Sequence, residues 1–140
     1  MREIFAGESA IAAEALLELR GHHGTVEALA ERIDAQRPQG YRVVASFEDG
    51  KAAAVAGFRI SENTAWGRFL YVDDLVTRAA LRGRGHADAL MAWLEQEAVR
   101  QGCDELHLDS GVGPERQDAH RFYFRHGMRI TSFHFARRVG

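Results

Sequence analysis

Asp73 and Asp74 are adjacent carboxylates at the end of an apolar, β-prone run (Phe69, Leu70, Tyr71, Val72), and a glycine-spaced turn, Arg82-Gly83-Arg84-Gly85-His86-Ala87, follows shortly after. A strand, a glycine turn and then a helix is the order that aims backbone N–H groups and a helix N-terminus at an anion. Gly83 and Gly85 lack Cβ, so a phosphate can approach the backbone closely. Arg82 and Arg84 add positive charge at the same point. The turn is not a P-loop, since no Gly-Lys-Ser/Thr follows. It is not a dinucleotide fingerprint either, because Asp88 stands where a third glycine is required. Paired carboxylates beside such a turn are candidates for proton transfer or for binding a cation. In a regular strand Asp73 and Asp74 point to opposite faces; a bulge would let them share one. Asp109 and His107 share a face of a later strand and are second candidates.

Composition narrows the partners. The chain has 140 residues, 46% of them hydrophobic and 27% charged, which suits one soluble domain with one core. A net charge of −2 argues against nucleic-acid binding through bulk charge. Basic residues gather locally, at Arg78 to Arg84 and at Arg116 to Arg125, as expected for a small anion rather than a polyanion. Any one of these arginines also fits a solvated surface. Cys103 is the single cysteine, so no intrachain disulfide forms, and the reading is a reducing, cytoplasmic setting. The N-terminus has no apolar signal region, and no run approaches the roughly 20 apolar residues of a membrane span. Seven histidines are present, but no His-x-x-x-His pattern supports a metal site, so none is expected.

The elements that must position these residues can be read from periodicity. Arg2 to Phe5 reads as a short strand. Ser9 and Thr25 read as N-caps of two helices with stripes Ala12, Ala15, Leu16, Leu19 and Val26, Leu29, Ala30, Ile33. Gly21 and Gly24 interrupt them around His22-His23. Tyr41 to Phe47 and Ala52 to Ile60 read as strands joined by a hairpin at Glu48-Asp49-Gly50, and a third strand spans about Ala65 to Thr77. Gly85 to Arg100 carries a helical stripe (Ala87, Leu90, Met91, Leu94, Ala98) that Gly102 ends. Glu105 to Asp109 reads as a strand in parallel pairing through a crossover. Ala119, Phe122 and Tyr123 mark a short helix ended by Gly127, and Met128 to Val139 reads as a closing strand or bent hairpin. The fold class is α+β, a single domain over residues 1–140. Its central sheet is mixed and mostly antiparallel, with about four flanking helices.

Two motifs make the resemblance specific. Leu75-Val76-Thr77 leading into Arg82-Gly83-Arg84-Gly85-His86-Ala87 is similar to the Arg/Gln-x-x-Gly-x-Gly/Ala of the GNAT superfamily of acyl-CoA-dependent N-acetyltransferases. Ala119-His120-Arg121-Phe122-Tyr123 through Gly127-Met128 is similar to that family's Ala-x-x-x-Tyr-x-x-x-Gly-Phe. The ELHLDS strand lies between them. The ending DAHRFYFRHGM…SFHF resembles the aminoalkylphosphonate acetyltransferase branch.

The resemblance implies acetyl-CoA as co-substrate and a small-molecule amine as acceptor. It implies that backbone groups of Leu75, Val76 and Thr77 hold pantetheine, and that those of Gly83 to Ala87 bind the pyrophosphate. Tyr123 would protonate the departing thiolate. Asp74, where the branch carries a carboxylate, is the first choice of base, acting through water. Asp73, Asp109, His22 and His23 are assigned to acceptor binding. Arg116 stands where the family often has Asn, which puts that side-chain contact to CoA in doubt. Two other readings stand beside this one: acetylation of a peptide amine, and a non-catalytic acyl-CoA-binding module. The short segment after Gly127 suggests pairing with a second subunit, hence a homodimer.

Overall fold

Three long neighbouring strands carry the sheet because their sequences alternate small and branched apolar residues between tight turns. β2 (Arg42–Glu48), β3 (Lys51–Asn63) and β4 (Gly67–Thr77) pair antiparallel in succession. Asp49 and Gly50 both take positive φ, 51° and 78°, which gives the two-residue hairpin turn expected between β2 and β3. β1 (Arg2–Ile4) adds antiparallel to β2. β5 (Glu105–Leu108) follows β4 through α3 (His86–Arg100) and makes the sheet mixed, in the order β1-β2-β3-β4-β5. The computed structural model describes residues Met1–Gly140, and the chain divides into two compact units, Met1–His107 and Leu108–Gly140.

In the first unit, β2 is buried from Val43 to Ser46 and β3 from Ala52 to Phe58, where helices cover them, and the far end of β3 is exposed. α1 (Ser9–Leu16) and α2 (Val26–Gln36) contribute Ala12, Ala15, Leu16, Leu29 and Ile33 to a cluster with Ile4, Val43, Ala45 and Val55. The intervening strand residues Val44 and Phe58 are buried as well, and the Phe58 ring meets Trp93 of α3 edge-on at 5.6 Å. Alternate strand positions therefore serve helices on different faces. The run Ala52-Ala53-Ala54-Val55-Ala56 lets the helix layers approach closely. Glu97, 2% exposed on α3, is held by Arg42 at 2.8 Å, by Gln101 at 3.0 Å and by Arg100. Burial opposes its charge, but these partners outweigh it and keep its carboxyl below the ordinary value.

Thr25 caps α2 as expected, its Oγ1 accepting from the Ala28 amide at 3.1 Å. Ser9 does not cap α1. Its position is the first helical residue, and its buried hydroxyl instead donates to Asp34 on α2 at 2.5 Å and accepts from Arg37 at 2.9 Å. A tertiary partner on α2 outcompetes the local capping bond.

The second unit contains α4 (Gln117–Arg125), preceded by a single 3₁₀ turn, Pro114–Arg116. Gly127 takes φ 78° and ends it. The closing strand expected at Met128 to Val139 is not formed. Its β-prone residues are exposed: Ile130 73%, Phe133 84%, Phe135 91% and Val139 86%. Propensity marks a segment that fits a pleated, half-buried surface, and this one is not paired as a strand.

Candidate active site

A β-bulge resolves the question left by the two carboxylates. Gly57 pairs with Asp74 and Phe58 with Val72, so Asp73 is the extra residue on β4. The bulge turns both Asp73 and Asp74 toward one cleft of about 460 Å³. The same cleft is lined by Arg20, by His22 and His23 on the 3₁₀ turn Gly21–His23, and by Arg32 and Gln36 on α2. Asp73, Asp74, His22 and His23, expected in catalysis or acceptor binding, are thus brought together.

The two carboxylates are held differently. Asp74 accepts from Arg20 Nε on Oδ1 at 2.9 Å and from the Tyr41 hydroxyl on Oδ2 at 2.7 Å. Asp73 accepts on Oδ2 from Arg59 Nε at 2.8 Å, and the same guanidinium donates to Gln36 at 2.7 Å. Arg20 also donates to the Asp73 carbonyl at 3.2 Å, so one arginine fixes the bulge from backbone and side chain together. Burial raises the Asp73 carboxyl above its ordinary value, and the Asp74 charge adds to this against the pull of Arg59. Burial, followed by the Asp74 charge, raises the Tyr41 phenol far above its ordinary value and keeps it a donor.

Sequence reasoning missed Tyr41, Arg20, Arg59 and Gln36. One signal was available in Gly57, an isolated glycine inside a strand, which marks a bulge or a close approach. A Cβ at Gly57 would lie 1.8 Å from the Tyr41 hydroxyl oxygen. The missing side chain is the notch through which Tyr41, 2% exposed, crosses β3 to reach β4.

Just beyond the bulge, Leu75, Val76 and Thr77 pair with Ala56, Val55 and Ala54 of β3. On the other side β5 has only four residues and starts where the Asp104 amide donates to the Arg68 carbonyl at 2.9 Å. β5 therefore runs beside the first half of β4, and the edge at Leu75–Thr77 lies past its end. The glycine turn follows. Gly83 and Gly85 take φ 76° and 85°, and a Cβ on either would meet nothing within 4 Å. Gly85 stands at the N-cap of α3 without a side-chain cap, so the helix presents its first N–H groups uncapped.

Arg82 is exposed, but Arg84 is paired with Glu48 at 2.5 Å. His86 bridges Ser46 at 2.7 Å and Glu48 at 3.0 Å. The hydrogen bond to His86, and then the charges of Arg84 and His86, lower the Glu48 carboxyl despite burial. The side chains of this turn thus lock it to the β2–β3 hairpin, and its backbone remains for an anion.

Residues 10–128 match the Acetyltransferase (GNAT) family. The chain belongs to the GNAT acetyltransferase family. Over 116 residues it is 30% identical to the uncharacterized N-acetyltransferase YhdJ of Bacillus subtilis, covering 81% of this chain and 80% of that one. Over 66 residues it is 35% identical to the aminoalkylphosphonate N-acetyltransferase of Salmonella typhimurium, covering 47% of this chain and 42% of that one. Solved structures with the same fold include a ribosomal-protein-alanine N-acetyltransferase of Brucella melitensis (TM-score 0.83, 19% identity, 98% of this chain and 97% of that one). An aminoglycoside N-acetyltransferase in complex with CoA also shares it (TM-score 0.78, 18% identity, 99% and 92%).

This GNAT protein is accordingly an acetyl-CoA-dependent acetyltransferase, with acetyl-CoA as co-substrate. The residues present fit that group, because an open strand edge leads into an uncapped helix N-terminus with two unobstructed glycines.

The remaining expected residues are placed as follows. His107 stacks on Trp66 with ring centroids 3.7 Å apart and meets Glu105 at 2.9 Å. That engagement weakens its candidacy as a base. In the second unit, Asp109 ion-pairs with His134 at 3.4 Å. Tyr123 is half-buried on α4; burial raises its phenol above the ordinary value, and the neighbouring Arg116 guanidinium opposes this. Arg116 thus interacts with the expected acid and also reaches Ser110 at 3.4 Å. No helix is long and apolar enough to cross a membrane. Burial raises the Cys103 thiol, with Arg68 opposing, which does not favour a nucleophile.

Proposed function

We propose that the protein transfers the acetyl group of acetyl-CoA to the primary amine of a small acceptor by direct attack in a ternary complex. The observation that carries this reading is the bulge. It aims two carboxylates into a cleft immediately before the strand edge and glycine turn that suit acyl-CoA.

In this reading backbone groups of Leu75, Val76 and Thr77 hold the pantetheine arm, and an N–H near Val76 polarises the thioester carbonyl. A donor of that kind changes rates by about 10²–10³-fold. Backbone N–H groups from Gly83 to Ala87 bind the pyrophosphate, with Arg82 adding charge and Arg84 shared with Glu48. The acceptor enters as an ammonium. One carboxylate of the Asp73–Asp74 pair takes its first proton, directly or through water. The amine nitrogen then bonds to the acetyl carbon as the carbon–sulfur bond breaks. The thiolate leaves with the electron pair and takes a proton from Tyr123. The second nitrogen proton returns to the tyrosine or to solvent. Residues 1–140 act as one domain here, and the family match spans both compact units.

The cleft supports an acceptor that also carries an anionic group. Arg32 and the His22–His23 pair line it together with the carboxylates, and the Salmonella relative is named for aminoalkylphosphonates. Asp109 is a further acceptor contact in this proposal. A thiol-release assay over simple alkylamines, amino acids, aminoalkylphosphonates and N-terminal peptides, with mass analysis of products, tests it. The expected outcome is N-acetylation fastest with a small anion-bearing amine. CoA binding without release on any amine would leave only an acyl-CoA-binding module.

A homodimer in a reducing, cytoplasmic setting belongs to the same proposal. Four large apolar side chains between Ile130 and Val139 are exposed, more than a solitary surface segment of this length usually shows. Sedimentation should show a dimer, and a strict monomer at high micromolar concentration would rule that part out.

A further inference from the structure

Resting on the acetyl-transfer reading, we propose that Tyr41 is a positioning residue. Its hydroxyl, seated in the notch at Gly57, holds Asp74 as a fully occupied anion and leaves Asp73 to meet the acceptor amine.

The argument is one of occupancy. Asp74 has both oxygens taken, Oδ1 by Arg20 at 2.9 Å and Oδ2 by Tyr41 at 2.7 Å. A carboxylate held by a donor on each oxygen is fixed in place and has less room for an incoming amine. Asp73 is bound on Oδ2 only, by Arg59 at 2.8 Å, and its Oδ1 holds no such bond. Burial favours protonation of Asp73, and the fixed negative charge of Asp74 beside it acts in the same direction. The two aspartates thus divide the work: Asp74 is the fixed charge, and Asp73 accepts the proton.

The geometry that enforces this division is costly and specific. Tyr41 precedes β2, yet its hydroxyl acts on β4, and it passes β3 only because position 57 has no side chain. The Arg59 guanidinium lies 5.4 Å from the centre of the Tyr41 ring while it holds Asp73, so one tyrosine touches the supports of both carboxylates. Other groups that face the pair are Arg20 after α1, His22 and His23 on the 3₁₀ turn, and Arg32 and Gln36 on α2. Tyr71 lies on β4 itself. Of these only Arg20 donates to Asp74, so Tyr41 supplies half of its support.

Tyr41→Phe removes the hydroxyl and keeps the ring that fills the notch. Asp74 loses one of its two donors and is no longer fixed beside Asp73, so the pair is less well placed to receive the amine. The expected result is a kcat lowered by about tenfold or more, with acceptor KM and CoA affinity changed little. Carbon-13 spectra of the carboxylates should show the Asp74 resonance displaced by loss of the tyrosine hydroxyl bond. Asp73→Asn should abolish most turnover, and Asp74→Asn should resemble Tyr41→Phe.

An undiminished kcat in a folded Tyr41→Phe protein would overturn the proposal. So would an Asp73→Asn variant that keeps full turnover. If the parent protein binds CoA but acetylates no amine, the acetyl-transfer reading fails, and the role given to Tyr41 fails with it. Turnover by the parent together with an undiminished kcat in Tyr41→Phe rejects the Tyr41 role alone.

Discussion

Tyr123→Phe is expected to lower kcat by about 10–10³-fold while the protein binds CoA as before. The phenylalanine ring preserves the packing of α4, where Phe122 meets Tyr123 edge-on at 5.7 Å. Only the proton source for the thiolate is lost. A phenol suits that task because its acidity is close to that of a thiol. Burial raises Tyr123 further, so it stays protonated above the usual tyrosine range, and Arg116 limits the rise. The sign follows directly. Activity that needs protonated Tyr123 holds through neutral pH and falls only once alkaline pH strips the phenol. The parent should therefore show an alkaline limb that is absent from the weak residual activity of Tyr123→Phe. Steady-state kinetics over pH, beside calorimetric titration with CoA, reads both. Unchanged kcat would remove Tyr123 from the reaction.

The second large effect belongs to the glycine turn. Gly85→Val is expected to raise the Kd for CoA by about tenfold or more, from the cost of a left-handed L-residue of roughly 1–2 kcal/mol. At φ 85° and ψ 7° Gly85 sits in the left-handed region, and valine is among the residues least able to follow it. The Cβ would clash with nothing within 4 Å of the protein itself, so crowding inside the fold is not the cause. The loss comes from moving the first N–H groups of α3, and from a side chain standing where a phosphate must approach the backbone. Calorimetry with CoA, beside thermal unfolding, separates the two contributions. Undiminished CoA affinity in a folded Gly85→Val protein would place the pyrophosphate elsewhere.

Much of the architecture was legible because its signals are local. The hairpin at Glu48–Asp49–Gly50, the helical stripe after Gly85 and the stop at Gly102 depend on residues close in sequence. The anion turn was legible for the same reason. The support of the carboxylates was not. Tyr41 just before β2, Gly57 on β3 and Asp74 on β4 are far apart in sequence, and their meeting depends on register and on a bulge that shifts it by one residue. Nothing in the sequence singles out Arg20 or Arg59, and only packing shows that each holds a carboxylate. Arg84 shows the reverse case: its position beside the glycines suggested a phosphate contact, yet Glu48 on the neighbouring hairpin holds it. The segment after Gly127 carries strand-forming residues, and a strand requires a partner edge as well as propensity.

The cleft and the bulge also explain why two adjacent aspartates can sit half-buried without destabilising repulsion. Each has its own arginine, Arg59 for Asp73 and Arg20 for Asp74. The four charges balance, so an incoming ammonium is attracted chiefly by the less occupied Asp73. Once the nitrogen has lost its proton the attraction weakens, which favours attack over continued binding.

Initial rates measured over a grid of acetyl-CoA and the best acceptor amine test the central claim most directly. Direct attack in a ternary complex predicts intersecting double-reciprocal lines and no burst of CoA release before amine is added. Parallel lines, with CoA released and an acetylated protein formed in the absence of amine, would contradict it.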